Sequence, residues 1–294
     1  MSVAPTIAPP APAAVSSRGR MRRRFRRRPL AVLGLCGVVL VVLVALLAPW
    51  IAPYDASASD YSAVLKPPGT AGHLLGTDDV GRDLLSRLMV GTRASLTAGV
   101  LSTFLALVIA VPVGMAAGYY RGWIDAVVSR VTDVVLSFPF LILAVGLAAI
   151  LGPSLINATI ALAVSQIPLF VRIARGEVLG LREQEYVQAS VVNGAPSRTI
   201  LRRHMLPNIL NPLIVQTTVA IPGAIIGAAV LSFLGLGVQP PTPAWGTMLS
   251  DAQQYIGSAP WFATFPGLAI AITTLSFNLF GDGLRDVLDV RMGS

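Results

Sequence analysis

Lysine occurs once in this 294-residue chain, cysteine once and histidine twice. Charged residues of both signs make up only 12%, where a soluble protein carries about a quarter. Each shortage excludes something. One cysteine, Cys36, supports neither an internal disulfide nor a thiolate metal cluster. The single lysine, Lys66, stands between Leu65 and Pro67. No Gly-Lys-Ser/Thr phosphate loop therefore exists, and the chain has no ATP site of that kind. No His, Cys and carboxylate set has metal-ligand spacing, and no Ser-His-Asp set suggests itself.

What is present is apolar. Hydrophobic residues make up 54% of the chain, and the polar remainder is too small to cover a soluble core. A helix crosses the hydrocarbon core with about 20 apolar residues. Runs free of Asp, Glu, Lys and Arg mark the spans at 29–54, 94–120 and 134–171. Gly152-Pro153-Ser154 divides the last of these into two spans with a tight turn. The run 204–250 holds one span near 210–237 and then a loop, because "VQPPTPAW" from Val238 is no spanning helix. The final span lies within 252–281. This predicts an all-α polytopic membrane protein with six transmembrane helices. Pro112, Pro139, Pro168, Pro212 and Pro222 fall in or at the ends of spans, where neighbouring helices and water satisfy the freed backbone groups. No charge lies within the six, which argues against an ion-coupled carrier. Gly114, Gly118, Gly223 and Gly227 are where close approach of a second subunit is expected.

Orientation follows from the 22 basic residues. Eight lie in the tail, two in the loop 121–133, six in the loop 172–203 and two after the last span. Lys66, Arg82, Arg87 and Arg93 fall on the other side. The positive-inside rule then places both termini in the cytoplasm. The chain begins with a Pro/Ala-rich, disordered stretch. The run "RGRMRRRFRRR" follows and anchors to the anionic leaflet at about 1 kcal/mol per arginine, rather than binding nucleic acid. The first apolar run is too long for a cleaved signal peptide and stays as a signal anchor. "LGLC", ending at Cys36, resembles a lipoprotein cleavage site, but apolar sequence continues past it. A small core residue is expected there.

The domain plan is a tail at 1–28, a first helix at 29–54, an extracytoplasmic segment at 55–93, a five-helix core at 94–282 and a cytoplasmic end at 283–294. In the outer segment, "GTDD" with Asp78 and Asp79 reads as an acidic turn or helix start rather than a cation site. Trp245 and Pro240-Pro241-Thr242-Pro243 suggest an ordered loop, either facing the pathway mouth or packed as a lid.

The loop 172–206 is the most informative stretch. It reads as two helices. The first covers about 172–192 and ends at Asn193-Gly194, since glycine suits the left-handed residue after a helix. Pro196 fits the first turn of the second, where its missing N–H costs nothing. Ile200, Leu201, His204 and Met205 share one side of that helix, and Pro207 starts the next span. A short amphipathic helix beneath a membrane bundle is either a docking element or a connector lying on the surface. Its residues alone support both.

The stretch "QASVVNGAPSRTILRRHMLP" resembles the cytoplasmic EAA loop of binding-protein-dependent ABC import permeases, whose pattern is E-A-A-x3-G-x9-I-x-L-P. The matching positions are Gln188, Ala189, Ser190, Gly194, His204, Leu206 and Pro207, with glutamine, serine and histidine as departures. Glu185 lies outside the register, and Pro196, after Ala195, stands where a capping serine is expected. "HLLGTDDVGRDLLSRLMVGTRASL", "LSFLGLGVQPPTPAWGTMLSD", "APWFATFPGLAI" and "NLFGDGLRDVLDVR" are similar to the peptide/nickel subfamily, its C-type subunit in particular. The similarity covers residues from about 20 to the end.

That resemblance implies the fold of a type I ABC importer permease in a bacterial cell membrane. It implies a second homologous permease subunit, two cytoplasmic ATPase subunits that hold the ATP and magnesium, and an extracytoplasmic solute-binding protein. Residues 196–205 would be a coupling helix seated in an ATPase groove. The cargo would be a di- or oligopeptide, with nickel or another small solute as the alternative. A self-sufficient carrier, a membrane enzyme or a scaffold are the readings from other classes.

Overall fold

The computed structural model describes residues 27–289. The Pro/Ala stretch and most of the arginine run lie outside the described residues. Helix α1 (Pro29–Ile51) begins with Pro29 in its first turn, where a proline needs no partner. A short 3-10 turn (Tyr61–Ala63) lies in the outer segment. Helix α2 (Leu84–Tyr120) starts ten residues before the expected span, because Asp83 caps it and accepts the Ser86 amide at 2.8 Å. Its 37 residues make it about 55 Å long, well beyond the roughly 30 Å of hydrocarbon.

The expected third span is broken. Helix α3 (Gly122–Leu136) and helix α4 (Phe140–Leu151) meet at 91°, with Pro139 at the break, its own backbone non-helical at ψ 133°. Helix α4 has 12 residues, about 18 Å, too short to cross alone. Helix α3 lies across helix α5 (Leu155–Arg182). Arg172 reaches Asp133 at 2.8 Å and Arg175 reaches Asp125 at 2.8 Å. Eight residues of α3, about 12 Å, thus map onto three residues of α5, about 4.5 Å. The tight turn holds as expected. Gly152 has φ +88°, Ser154 caps α5 by accepting the Asn157 amide, and the Asn157 side chain donates to the carbonyls of Leu151 and Gly152.

After α5 come α6 (Glu185–Val192) and α7 (Ser197–Phe233). Helix α7 is π-helical over Ile200–Met205. Helix α8 (Trp245–Ala252) sits in the outer loop, and α9 (Pro260–Asp289) closes the bundle. Five helices, α1, α2, α5, α7 and α9, are long and apolar enough to cross, and there are six crossings if the bent pair α3–α4 is one span. Arg28 at the start of α1 pairs with Asp286 at the end of α9, so both ends of the described chain lie on one side, the inner end of the bundle by position in the fold alone, with the outer end opposite.

Helix α2 packs along α5 at the bundle centre. A Cβ on Gly114 would stand 2.6 Å from the Val171 carbonyl, and one on Gly118 2.8 Å from that of Arg175. These glycines serve contact within the chain, not between subunits. Gly227 likewise meets Leu162 of α5, and only Gly223 of the four faces open space. Cys36 is exposed on α1, contrary to the core position expected of it. The core has an inner centre around Phe170, Val178, Ile200, Met205 and Ile209. An outer one gathers around Leu84, Ile225, Trp245 and Phe262.

Candidate functional site

The loop after α5 differs from the two-helix expectation. Residues 172–182 are the tail of α5, not a separate helix. Arg182 donates to the Tyr119 carbonyl at 2.8 Å and its guanidinium lies over the Tyr119 ring, which fastens that tail to the end of α2. The chain breaks at Glu183 and Gln184, and α6 follows. Val187 is the one buried residue of α6 and pins it to the inner core. Glu185, Tyr186, Gln188, Ala189, Val191 and Val192 are exposed, Val192 by 86%. Ser190 donates its hydroxyl to the Tyr186 carbonyl at 2.8 Å.

Gly194 has φ +74°. The Gly194 amide donates to Val191 and the Ala195 amide to Ser190, the two bonds that close a helix on a left-handed glycine. Pro196 caps the next helix from just outside, one position earlier than expected. The helix then runs into the span without a stop at Pro207. A proline inside a helix removes an N–H and crowds the preceding turn; the widened π-helical turn at Ile200–Met205 lies directly before it.

The apolar face of residues 196–205 points inward. Ile200 and Met205 are buried in the chain's own core, and Leu201 and His204 are half-buried. The expected partner-facing stripe is thus already covered, because α6 and the ends of α2 and α5 pack over it. His204 lies 6.1 Å from the Tyr186 ring, and Asn208 reaches the Tyr186 hydroxyl at 3.3 Å. Leu206 is half-buried and Pro207 exposed. Most of α6, together with Arg198, Arg202 and Arg203, is exposed.

The outer end is built differently. Asp78 is fully buried. It accepts the Val80 and Arg82 amides and the Arg82 guanidinium, and lies 3.3 Å from Arg87. Arg87 is 3% exposed and donates to the Ala56 carbonyl at 3.1 Å. Asp79 and Asp251 stand 3.7 and 3.9 Å from Arg82. Burial, then the charge of Asp78, raises the Asp79 carboxyl above its ordinary range; burial, then Asp79, does the same for Asp251. His73 meets Asp83 at 3.0 Å. The acidic turn and helix start are both present, and Arg82 and Arg87 face three carboxylates, of which Asp79 keeps a buried Oδ1 without a hydrogen bond. Sequence reasoning missed Arg87 as a buried charge, because a charge-free window moved the helix start to residue 94. The cap pattern Asp83-x-x-Ser86 was the available signal. Trp245 is packed as a lid: its amide donates to Ser95 and its indole to the Leu88 carbonyl.

Comparison with known proteins extends these observations. The family model for the binding-protein-dependent transport system inner membrane component matches residues 110–294. The N-terminal transmembrane domain of oligopeptide transport permease C matches residues 16–68. The dipeptide transport system permease protein DppC of Alkalihalophilus pseudofirmus is 44% identical over 92% of this chain and 89% of its own length. The glutathione transport system permease protein GsiD of Escherichia coli is 45% identical over the same shares. A chain of the MetNI methionine ABC transporter in an inward-facing conformation superposes with a TM-score of 0.56 at 24% identity, over 68% of this chain and 96% of that one. That likeness bears on the fold alone. With five to six crossings and no strand among the described residues, this chain belongs to the inner-membrane components of binding-protein-dependent ABC transport systems, as a multi-pass, helical permease.

Proposed function

We propose that the chain is one of two permease subunits that line the pathway of an ATP-driven peptide importer. Relatives at 44–45% identity are named for dipeptide and glutathione transport, and this supports short peptides as the cargo class. The ATP and magnesium belong to two ATPase subunits beneath the bundle. A solute-binding protein delivers cargo to the opposite face, formed by the outer segment and the loop carrying Trp245. Both termini are cytoplasmic, in keeping with the arginine distribution and with the Arg28–Asp286 pair on one side.

The observation that carries the coupling role is α6. It is a short helix pinned by Val187, with an exposed apolar tip at Val191 and Val192. A rigid lever needs an anchored helix and an uncovered apolar end for its partner. Glu185, Gln188, Ala189 and Ser190 lie on this helix, and Gly194, Ala195 and Pro196 form the hinge behind it. Ile200, His204, Leu206 and Pro207 belong to the stalk that passes the motion to α7. The docking face is therefore 185–192, and 196–205 transmits.

The test is purification of the tagged chain expressed with its genomic neighbours. Recovery of a second permease and ATPase subunits, with ATP hydrolysis stimulated by a binding protein plus dipeptide, is the expected outcome. A homo-oligomer active in vesicles without ATP would overturn the proposal.

A further inference from the structure

A groove of about 450 Å3 runs between α2 and α7 on the inner half of the bundle. Val111 and Met115 of α2 form one wall, and Leu206, Leu210 and Leu213 of α7 form the other. The charged group on its lining is Arg202. Arg202 is exposed at the inner end of α7, just before the charge-free run of that helix. Among the described residues no carboxylate pairs with it, whereas Arg121, Arg172 and Arg175 on the same side meet Glu183, Asp133 and Asp125. Arg198, one turn earlier, and Arg203 beside it are exposed as well.

We propose that this groove holds an acyl chain of an anionic phospholipid whose phosphate rests on Arg202. An apolar trough open to hydrocarbon forfeits dispersion contacts unless a chain fills it. An unpaired guanidinium at the level where the span leaves the bilayer attracts a headgroup phosphate, bidentately and with full charge. A helix of a second membrane subunit could fill the trough, but it would need a carboxylate of its own opposite Arg202. A phospholipid brings the anion and the chain in one molecule. Seated there, it spaces α2 from α7 next to the π-helical turn at Ile200–Met205.

Native mass spectrometry of the full chain, purified with the subunits that accompany it, reads this directly. The probes are dioleoyl phosphatidylglycerol and dioleoyl phosphatidylcholine. One phosphatidylglycerol molecule should be retained about fivefold over phosphatidylcholine, the worth of one arginine at an anionic surface. Arg202→Gln should bring that ratio to about one, while Arg130→Gln, on the exposed side of α3, leaves it as it was. Leu210→Trp should fill the trough and displace both lipids. An unchanged ratio in Arg202→Gln overturns the proposal, whatever Leu210→Trp does. So does efficient crosslinking of Leu210→Cys, in a Cys36→Ser background, to a second membrane subunit, because the trough is then covered by protein.

Discussion

The two ends of the bundle handle polarity in opposite ways. At the outer end, charges are buried: Asp78 is fully covered, Arg87 is 3% exposed, and each finds its partners within the chain. At the inner end, apolar side chains are uncovered: Tyr186, Val191 and Val192 lie open on α6. A buried ion network is costly to assemble and very costly to half-dismantle, so it suits a part that stays put. An exposed apolar helix tip costs the fold little and is worth having only if something else covers it. The buried charges of the outer end are paired within the chain, whereas the apolar tip of α6 is left uncovered.

That contrast predicts which substitutions damage folding and which damage assembly. The largest effect belongs to Arg87→Ala. It leaves Asp78 buried with one cation fewer and the Ala56 carbonyl without its donor. A loss of about 3–5 kcal/mol is expected, seen as a collapse of monodisperse protein in detergent and a sharp fall in Tm. A variant with native yield and Tm would mean that Arg82 alone satisfies the network. Val192→Asp should do the reverse. Its Tm should match that of the parent, while retention of ATPase subunits falls about tenfold or more, as at an interface hot spot. Equal retention would move the docking surface off α6.

Gly194→Val tests the hinge between the two behaviours. No heavy atom outside the adjoining residues lies within 4 Å of where a Cβ would stand. The cost is the φ of +74°, which a β-branched residue adopts at about 1–2 kcal/mol. Insertion and yield should survive, and transport should fall because α6 no longer projects in a fixed direction. Gly194→Asn, which tolerates the left-handed region, should retain most of the activity. Full transport by the valine variant would remove the hinge from the mechanism.

The same contrast explains what could be read in the chain beforehand. Local chemistry was legible. Gly152-Pro153-Ser154 is a turn, Gly194 is left-handed, and Asp78-Asp79 opens a turn before a helix, because each depends on a few neighbouring residues. Tertiary arrangement was not. The charge-free window opens at Val134, so the last residues of α3 join α4 in one apparent span, and Pro139 by itself does not announce a 91° turn between them. Ile200 and Met205 form a stripe that suits a partner's groove and the chain's own core alike, and only the packing of Val187 over them decides. Arg87 lay hidden because burial of a charge depends on Asp78 being folded back beside it. Gly114 and Gly118 advertised close approach, but not that α5 is what approaches.

The smallest effect bears on whether the outer end is strictly finished. Asp79 and Asp251 both titrate above the ordinary carboxylate range, through burial first and neighbouring carboxylates second. A carboxyl whose pKa rises on folding binds its proton more readily in the folded state. Its stabilising share is present at low pH and is lost as pH rises through the raised value. Above that window the ionised Asp251 is a net burden on the network, which the nearby Arg82 and Arg87 only partly offset. The Asp251 side chain is 34% exposed, so solvent screens the burden to under about 1 kcal/mol. Asp251→Asn should therefore raise Tm by no more than about 2–4 °C at neutral pH, and the gain should shrink as pH falls into the carboxylate range. A lower Tm in the asparagine variant at neutral pH would show that the Arg82 contact outweighs the repulsion. The network of the outer end would then need every one of its carboxylates, and its contrast with the lightly held inner loop would be sharper still.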